Sequence, residues 1–212
     1  MSTTPRVRAM RPADLAEAAE LLADAFVEDT NLASFVPARG RRARLRRFFA
    51  VTGEVEMLTH GVADVAVADD GAHERLLAVA WWHPPQGPGA PASRAWSWHE
   101  LPSAVAVFGV RRLVAAARSR LASERARPAT EHWHLAYLAS RPEPAARGAA
   151  TALLEHRLAQ ADAQGVGSHL ESSSQGTVGF YERRGWRVTG PVRGPGGRRT
   201  TAMWRPAGGA RQ

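Results

Sequence analysis

One stretch of small residues has the composition of an anion-binding turn. It reads PAARGAAT over residues 144–151, after an apolar segment and before an amphipathic one. The first backbone N–H groups of a helix have no helical partners, and the helix dipole favours negative charge there. Small residues such as Gly148, Ala149 and Ala150 let those groups approach a phosphate closely. The turn lacks the GK[ST] of a Walker loop and the GxGxxG of a nicotinamide site, so it predicts another phosphate-bearing ligand. An alanine-rich helix start chosen for propensity is the alternative.

A tyrosine downstream of that turn has the chemistry of a proton donor. Tyr181 lies in GFYERRGW, a pattern that predicts a short helix followed by a glycine turn. A tyrosine hydroxyl near the end of such a helix can protonate a leaving thiolate, so Tyr181 is a candidate general acid. The alternative is a ring that packs under the sheet, as half-buried tyrosines usually do.

A general base is also required if an amine is the nucleophile. Glu171 follows an apolar strand-like segment and could face a cleft, where it could accept the proton of the amine. The alternative is a structural carboxylate that pairs with a nearby arginine. His134 and His169 are weaker candidates for the same role.

Two histidines raise the question of a metal. His132 and His134 alternate along a predicted strand, so both imidazoles would lie on one face, as in some metal sites. No third ligand is evident from the sequence, and the chain has no cysteine. We therefore expect no metal.

The bulk composition indicates one globular domain. The chain has 212 residues, 44% of them hydrophobic and 23% charged, which is enough for a substantial core. No apolar run approaches the roughly 20 residues of a membrane span. The first residues do not resemble a signal peptide. We expect a cytoplasmic protein without membrane attachment, a monomer or homodimer, with one domain over 1–206, a helical insertion at 86–131 and a disordered tail at 207–212.

The net charge is compatible with an anionic partner but does not identify one. The formal net charge is +8, and all 28 basic residues are arginine, a bias typical of a GC-rich genome. Such a surface attracts anions, including a nucleotide-like cofactor. The arginine-rich run at 39–47 could contact nucleic-acid phosphates. However, Leu45, Phe48 and Phe49 at helical spacing favour an amphipathic helix with a solvated arginine face. We expect no nucleic-acid partner.

Apolar periodicity predicts a mixed α/β chain, α+β-like, in the order β-α-α-β-β-α-β-α-β-α-β-β. Residues 29–40 and 190–197 are predicted as connections. The clearest predicted helices are 12–28, 41–58 and 101–125, and the clearest predicted strands are 6–10, 62–68, 76–82, 186–189 and 200–204.

The RGAAT turn and the downstream FYERRGW together resemble the cofactor-binding half of the GNAT superfamily of acyl-CoA N-acyltransferases. The resemblance is strong over 132–189, and the preceding α-α-β-β order fits the N-terminal half of that family. AVAWWHPP, the helical insertion, and HLESSS followed by QGTVGFYERRGWRVTG are similar to the puromycin N-acetyltransferase branch. Two positions depart from the family pattern. Ala145 stands where the family has Gln or Arg, and the Asn often found before the last helix is missing.

The resemblance implies a fold, a cofactor and a set of site residues. The fold would be a central twisted, mostly antiparallel sheet with a splayed strand pair, flanked by helices. The cofactor would be acetyl-CoA, and Tyr181 would protonate its departing thiolate. One of the residues 172–175, Ser174 among them, would replace the missing Asn. The remaining implied contacts are Leu138, Ala139 and Ser140 for the pantetheine arm, and Ala146, Arg147, Gly148, Ala149, Ala150 and Thr151 for the pyrophosphate.

The predicted function is therefore acetyl transfer from acetyl-CoA to a primary amine of a small molecule, antibiotic- or metabolite-like, by direct attack in a ternary complex. One alternative is acetylation of a protein or peptide N-terminus, which would be favoured by a shallow open groove. Another is a non-catalytic acyl-CoA- or nucleic-acid-binding module on the same fold, which the loss of the polar residue at Ala145 suggests.

Overall fold

A computed structural model describes residues 5–69, 74–86, 101–194, 197 and 199–209. The helices are α1 (Leu15–Phe26), α2 (Leu32–Phe35), α3 (Arg41–Thr52), α4 (Leu101–Phe108), α5 (Leu113–Ala126), α6 (Ala149–Ala163) and α7 (Gln175–Glu182). The strands are β1 (Arg6–Ala9), β2 (Val62–Asp69), β3 (Glu74–His83), β4 (His132–Ser140), β5 (Gly167–Ser172), β6 (Arg187–Arg193) and β7 (Arg199–Arg205). None of the helices in these ranges is long and apolar enough to cross a membrane.

The strands form one mixed sheet. Its order is β1-β2-β3-β4-β5-β7-β6, and every neighbouring pair is antiparallel except β4 and β5. A parallel pair cannot be joined by a tight turn, so α6 supplies the crossover between β4 and β5. The predicted fold, a mostly antiparallel sheet flanked by helices, is confirmed.

The parallel pair separates halfway along its length. Pairing runs from His132–Gly167 to Leu135–Leu170 and then ends, although β4 continues to Ser140. On the opposite edge of β4, Trp81 pairs with Tyr137 and Trp82 pairs with Leu135. Ala136 is therefore an extra residue, a bulge that bends the strand where it leaves β5. The result is a V-shaped gap in the middle of the sheet.

Helices cover both faces of the sheet. One core lies between the sheet and α1, α3 and α4, and the other lies between the sheet and α6, with α7 at its margin. Trp81 belongs to the first core and Trp82 to the second, because successive residues of a strand point to opposite faces. Both indoles are fully buried, as expected for core residues.

The sequence prediction of one helix over 101–125 was wrong. The segment forms α4 and α5, with a short 3-10 turn at Val110–Arg112 between them. Gly109 separates the two helices with φ +70°, a conformation that interrupts a helix and that glycine adopts at little cost. The two helices can then fold back over the sheet.

Two further segments differ from their predictions. The connection at 29–40 contains α2, whose first turn begins where Leu32 N–H donates to Asp29 Oδ1 at 2.8 Å. The predicted turn at 190–197 continues as β6 through Pro191, which an edge strand tolerates. In the described part of the predicted tail, Ala207–Gly209 form a turn in which Gly208 N–H donates to Asp162 Oδ1 at 2.8 Å.

Candidate active site

The gap between β4 and β5 leaves backbone groups of β4 available to a ligand. Arg141 N–H donates to Leu77 O at 2.8 Å, so Arg141 and Leu77 form a hydrogen-bonded pair between β4 and β3. In an antiparallel pair only every second residue directs its backbone N–H and C=O to the neighbouring strand. The N–H and C=O of Leu138 and Ser140 therefore point away from β3, into the gap. Ala139 lies between these two residues, so its backbone groups face Val79 of β3, and only its small side chain could contact a ligand. Two of the three residues predicted to contact the pantetheine arm thus point their backbone N–H and C=O groups away from the neighbouring strand.

The anion cradle predicted from the sequence would lie at the N-terminus of α6, where fewer amides are available than expected. Ala146 N–H donates to Glu143 O at 3.0 Å and Arg147 N–H donates to Pro144 O at 3.2 Å, so these two amides are already used in a 3-10 turn. The first bond of α6 runs from Ala152 N–H to Gly148 O at 2.8 Å. The amides of residues 148–151 precede it and have no helical partner.

The backbone at Gly148 shapes this cradle. Gly148 has φ +83°, and a Cβ built on it would meet nothing within 4 Å. A left-handed turn therefore sets the direction of the helix start, and the space beside it is open. Ala149 is fully buried beneath the same turn, so its side chain packs while its amide remains for a ligand.

Arg184 was not singled out in the sequence, yet it lies beside the cradle. Its guanidinium donates to the Thr151 hydroxyl and to Phe180 O, the latter at 2.6 Å, and stacks 3.8 Å from the centre of the Phe180 ring. Burial lowers the pKa of Arg184, and Glu155 offsets part of that effect. The FYERRGW motif marks this position, but only the folded chain brings it to α6.

Ser174 caps the N-terminus of α7 in the described chain. It is the N-cap of α7, and its hydroxyl oxygen accepts a hydrogen bond from Gly176 N–H at 3.2 Å. The preceding Ser172 hydroxyl donates to Ser174 O at 2.8 Å. These bonds order the β5–α7 loop at the mouth of the gap, while the cofactor contact predicted for Ser174 stays a prediction.

Tyr181 lies on the α6 side of the sheet. Its ring packs edge-on against Trp186 and Phe180, with ring centres 5.7 and 5.3 Å away. Burial raises the pKa of Tyr181 to about 12, and the nearby charge of Arg184 opposes that rise. A phenol in this environment keeps its proton at neutral pH, which is the form that a general acid requires.

A cavity of about 220 Å³ lies on the other face of the sheet. Its volume is below the ~300–1,000 Å³ of pockets for drug-sized ligands. It is lined by the aromatic residues Phe26, Phe35, Phe48, Phe108 and Tyr137, the carboxylates Asp29, Glu56 and Glu171, the cations Arg120 and Arg127, and His83 and His134, among others.

Several walls of the cavity come from elements far apart in sequence. Phe108 belongs to α4, and Ala116 and Arg120 belong to α5, so both helices of the insertion cover it. At the opposite edge the Ser173 hydroxyl donates to Asp29, which ties the β5–α7 loop to the end of α1. The bulge at β4 keeps Tyr137 facing this cavity, although Leu135, two residues earlier, faces the opposite core.

Glu171 is held in the cavity wall by one of its two carboxylate oxygens. Its Oε2 accepts a hydrogen bond from the Thr200 hydroxyl at 3.0 Å. Its Oε1 is buried and has no hydrogen-bond partner among the described residues. Burial lowers the pKa of Arg127, and the charge of Glu171 counteracts that effect more than the charges of Glu124 and Glu56 do. Glu171 therefore faces the cavity with one lone-pair oxygen available.

The two weaker base candidates, His134 and His169, touch each other. Their Nδ1 atoms lie 3.1 Å apart, and both rings are buried. Burial lowers the pKa of His134 well below its ordinary value and that of His169 to about 3. Both are neutral at pH 7, with a weak tendency to accept a proton.

The predicted site residues thus fall on two sides of one gap. The free amides of α6, Arg184 and Tyr181 lie on one side of the sheet, and Glu171 lines the cavity on the other. The free backbone of Leu138 and Ser140 lies between them. The arrangement can hold an extended anionic ligand along the gap and a second, small ligand in the cavity.

Comparisons with known proteins agree with this geometry. Residues 74–186 match the family model described as the acetyltransferase (GNAT) family, which is more than half of the chain. A structure described as histone acetyltransferase HPA2 and related acetyltransferase from Corynebacterium glutamicum is 25% identical, with a TM-score of 0.75 over 99% of both chains.

Two further structures share the fold at lower identity. A mosquito arylalkylamine N-acetyltransferase like 5b is 16% identical, with a TM-score of 0.59 over 96% of this chain and 100% of that one. An aminoglycoside 6'-acetyltransferase type Ii is 12% identical, with a TM-score of 0.55 over 98% of this chain and 99% of that one.

Proposed function

The chain belongs to the acetyltransferase (GNAT) family, and we propose that it transfers the acetyl group of acetyl-CoA to a primary amine of a small molecule. The observation that carries this proposal is the meeting of two features at one place. The opening between β4 and β5 would serve as a channel for an extended cofactor, and Glu171 at its edge lines a cavity with room for a small acceptor.

The residues at the channel fit coenzyme A. Family members use acetyl-CoA, and a relative from Brucella melitensis was solved in complex with it. In this chain, four amides at the start of α6 lack helical partners and the space at Gly148 is open, as a pyrophosphate requires. Leu138 and Ser140 would hydrogen-bond to the pantetheine arm. When bound, acetyl-CoA supplies an activated thioester.

The charges on the acceptor side suit an amine. A free primary amine is an ammonium ion at neutral pH, and the carboxylates Asp29, Glu56 and Glu171 around the cavity would attract it. The aromatic wall would receive its apolar part. Glu171 would then accept the proton that the amine must lose before it attacks, through the oxygen that has no other partner in the described residues.

Tyr181 would act on the other side of the gap. Its phenol keeps a proton because burial raises its pKa to about 12. A departing thiolate would take that proton from the Tyr181 hydroxyl. An outward N–H of β4, at Leu138 or Ser140, would stabilise the negative charge on the carbonyl oxygen during attack. The proposed acid and base thus lie on opposite sides of the sheet.

A small molecule is a better acceptor for this cavity than a protein chain. A polypeptide N-terminus needs an open groove, whereas α4 and α5 cover this cavity with Phe108, Ala116 and Arg120. Membership of an acetyltransferase family likewise favours an enzyme over a non-catalytic binding module.

An assay of thiol release with a panel of acceptors tests the proposal. The panel contains small primary amines with aromatic, aliphatic and polyamine bodies, and peptides with free N-termini. We expect turnover with at least one small amine and none with the peptides. Turnover confined to peptides would overturn the small-molecule proposal, and binding of acetyl-CoA without turnover of any primary amine would overturn the proposed reaction.

A further inference from the structure

Imidazoles from neighbouring strands form a row on the face of the sheet that lines the cavity. His83 pairs in register with His134, and His134 pairs in register with His169. Their rings are stacked, with centres 5.8 and 5.3 Å apart. His132, two residues before His134 on the same face, places its ring edge-on to His169 at 5.6 Å. The proposed acetyl transfer uses none of these side chains.

Three of these rings converge. His132, His134 and His169 each offer one nitrogen, and the three atoms all lie within 4.8 Å of one another. Nitrogens bound tetrahedrally to one zinc ion at 2.0–2.1 Å are about 3.3–3.4 Å apart. The Nδ1 atoms of His134 and His169 lie 3.1 Å apart in a hydrogen bond, so Nε2 is the nitrogen of His169 that is available to a ligand. His132 is only half-buried, so its ring has the freedom to close the remaining distance.

The hydrogen bonding of His132 suits ligation. A metal binds an imidazole through a nitrogen that carries no proton. The Nδ1 of His132 lies 2.7 Å from Thr130 O, so this nitrogen carries the proton and its Nε2 lone pair is directed elsewhere. Such a backbone contact is the usual outer support of a metal-bound histidine.

A second observation points to a missing partner. His169 is 1% exposed, and its Nε2 has no hydrogen-bond partner within the part of the chain that the structure describes. Buried polar atoms are nearly always satisfied, so an unsatisfied one requires a reason such as an unseen ion.

We propose that His132, His134 and His169 bind one divalent transition-metal ion, for which zinc is the natural probe. The ion would join β4 to β5 at the last paired residues before the strands separate, since His134–His169 is followed only by Leu135–Leu170. It would thereby brace the base of the V-shaped gap and favour the folded chain. Its role is structural, and no step of acetyl transfer passes through it.

Metal binding is tested directly on the full chain without a polyhistidine tag. After treatment with a chelator, the protein is titrated with Zn²⁺ by calorimetry and with Co²⁺ by absorption spectroscopy. We expect one equivalent bound, d–d bands of four-coordinate Co²⁺, and a rise in melting temperature with Zn²⁺. Absence of stoichiometric binding, or Co²⁺ bands of an all-water environment, would overturn the site.

Variants locate the ion. His132→Ala removes the half-buried ligand with the least disturbance of packing, and we expect it to weaken Zn²⁺ at least about tenfold. His156→Ala is the matched control, because His156 is an exposed histidine on α6 outside the cluster, and its affinity should be unchanged. Equal affinity in His132→Ala and the unmodified protein would contradict the proposal. His169→Gln, with folding checked by circular dichroism, provides a second, stricter removal of a ligand.

Discussion

The two sides of the gap are built by different means. On the α6 side, the groups that would meet the cofactor are mostly backbone amides of one continuous turn, with Arg184 as the main side-chain addition. On the cavity side, the groups that would meet the acceptor are side chains. They come from α1, α2, α3, α4, α5, β3, β4, β5 and β7 and from connecting segments.

This difference explains how one fold can keep its cofactor and change its acceptor. Backbone amides depend on helix geometry and on a small residue such as Gly148, so most substitutions elsewhere leave them intact. A cavity assembled from many side chains changes shape and charge with each of them. Family membership therefore indicates which cofactor is bound, whereas the acceptor must be inferred from the side chains of the cavity.

The largest effect on cofactor binding is expected from Gly148→Glu. The substitution forces a side chain onto φ +83° and puts a negative charge into the cradle. We expect the dissociation constant of acetyl-CoA, measured by calorimetry, to rise by about a hundredfold, or ~2.7 kcal/mol. Gly165→Glu is the control, since Gly165 also has φ +69° and open space but lies at the other end of α6. Equal losses in both variants would mean that the effect is strain and not the cradle.

The next effect separates binding from turnover. In Tyr181→Phe the packing against Trp186 remains and the proton donor is lost. We expect kcat to fall by about a hundredfold while the dissociation constant of acetyl-CoA changes less than about twofold. Unchanged kcat would remove Tyr181 from the role of general acid.

The unmodified enzyme also carries a pH prediction for Tyr181. Because burial raises the pKa of Tyr181 to about 12, its phenol stays protonated as the pH rises. We expect no loss of kcat from Tyr181 ionisation between about pH 7 and about pH 10. A decline in that range that disappears in Tyr181→Phe would contradict the assignment.

The cavity side is tested by Glu171→Gln. The amide keeps the shape of the side chain but cannot accept the proton of the amine, so we expect kcat/KM for the acceptor to fall about ten- to a hundredfold. Acetyl-CoA affinity should be unchanged. Thr200→Val is the matched control, because it removes the hydrogen bond to Glu171 and leaves the carboxylate in place. A larger loss in Thr200→Val than in Glu171→Gln would make Glu171 a structural residue.

The smallest expected effect concerns Arg184. Arg184→Met should weaken acetyl-CoA by about three- to tenfold, because it removes one partly screened charge from the cradle. Arg183→Met, an exposed neighbour in the same motif, should have almost no effect. Equal dissociation constants for the two variants would show that the position beside Thr151 is irrelevant to the cofactor.

The sequence was sufficient where local patterns decide the structure. The start of α6 after β4 follows from the small residues and periodicity around Gly148, and the Tyr181 helix follows from its motif. The division into α4 and α5 at Gly109 could not be predicted from the sequence, because glycine is tolerated inside a helix. Its φ of +70° is set by the packing of the two helices on the sheet.

The residues around the cavity could not be predicted together from local sequence patterns. Asp29 and Glu56 look like ordinary surface carboxylates in the sequence, and only tertiary packing brings them to the same cavity as Glu171. The third imidazole was missed for the same reason. His169 is far from His134 in sequence, and the parallel pairing of β4 with β5 makes them neighbours.

A crystal structure of the protein with coenzyme A would test the central claim most directly. The account predicts that the pyrophosphate lies on the amides of residues 148–151, that the pantetheine arm enters the gap beside Leu138 and Ser140, and that the thiol ends between Tyr181 and the cavity. Coenzyme A bound elsewhere, with the gap between β4 and β5 empty, would contradict it.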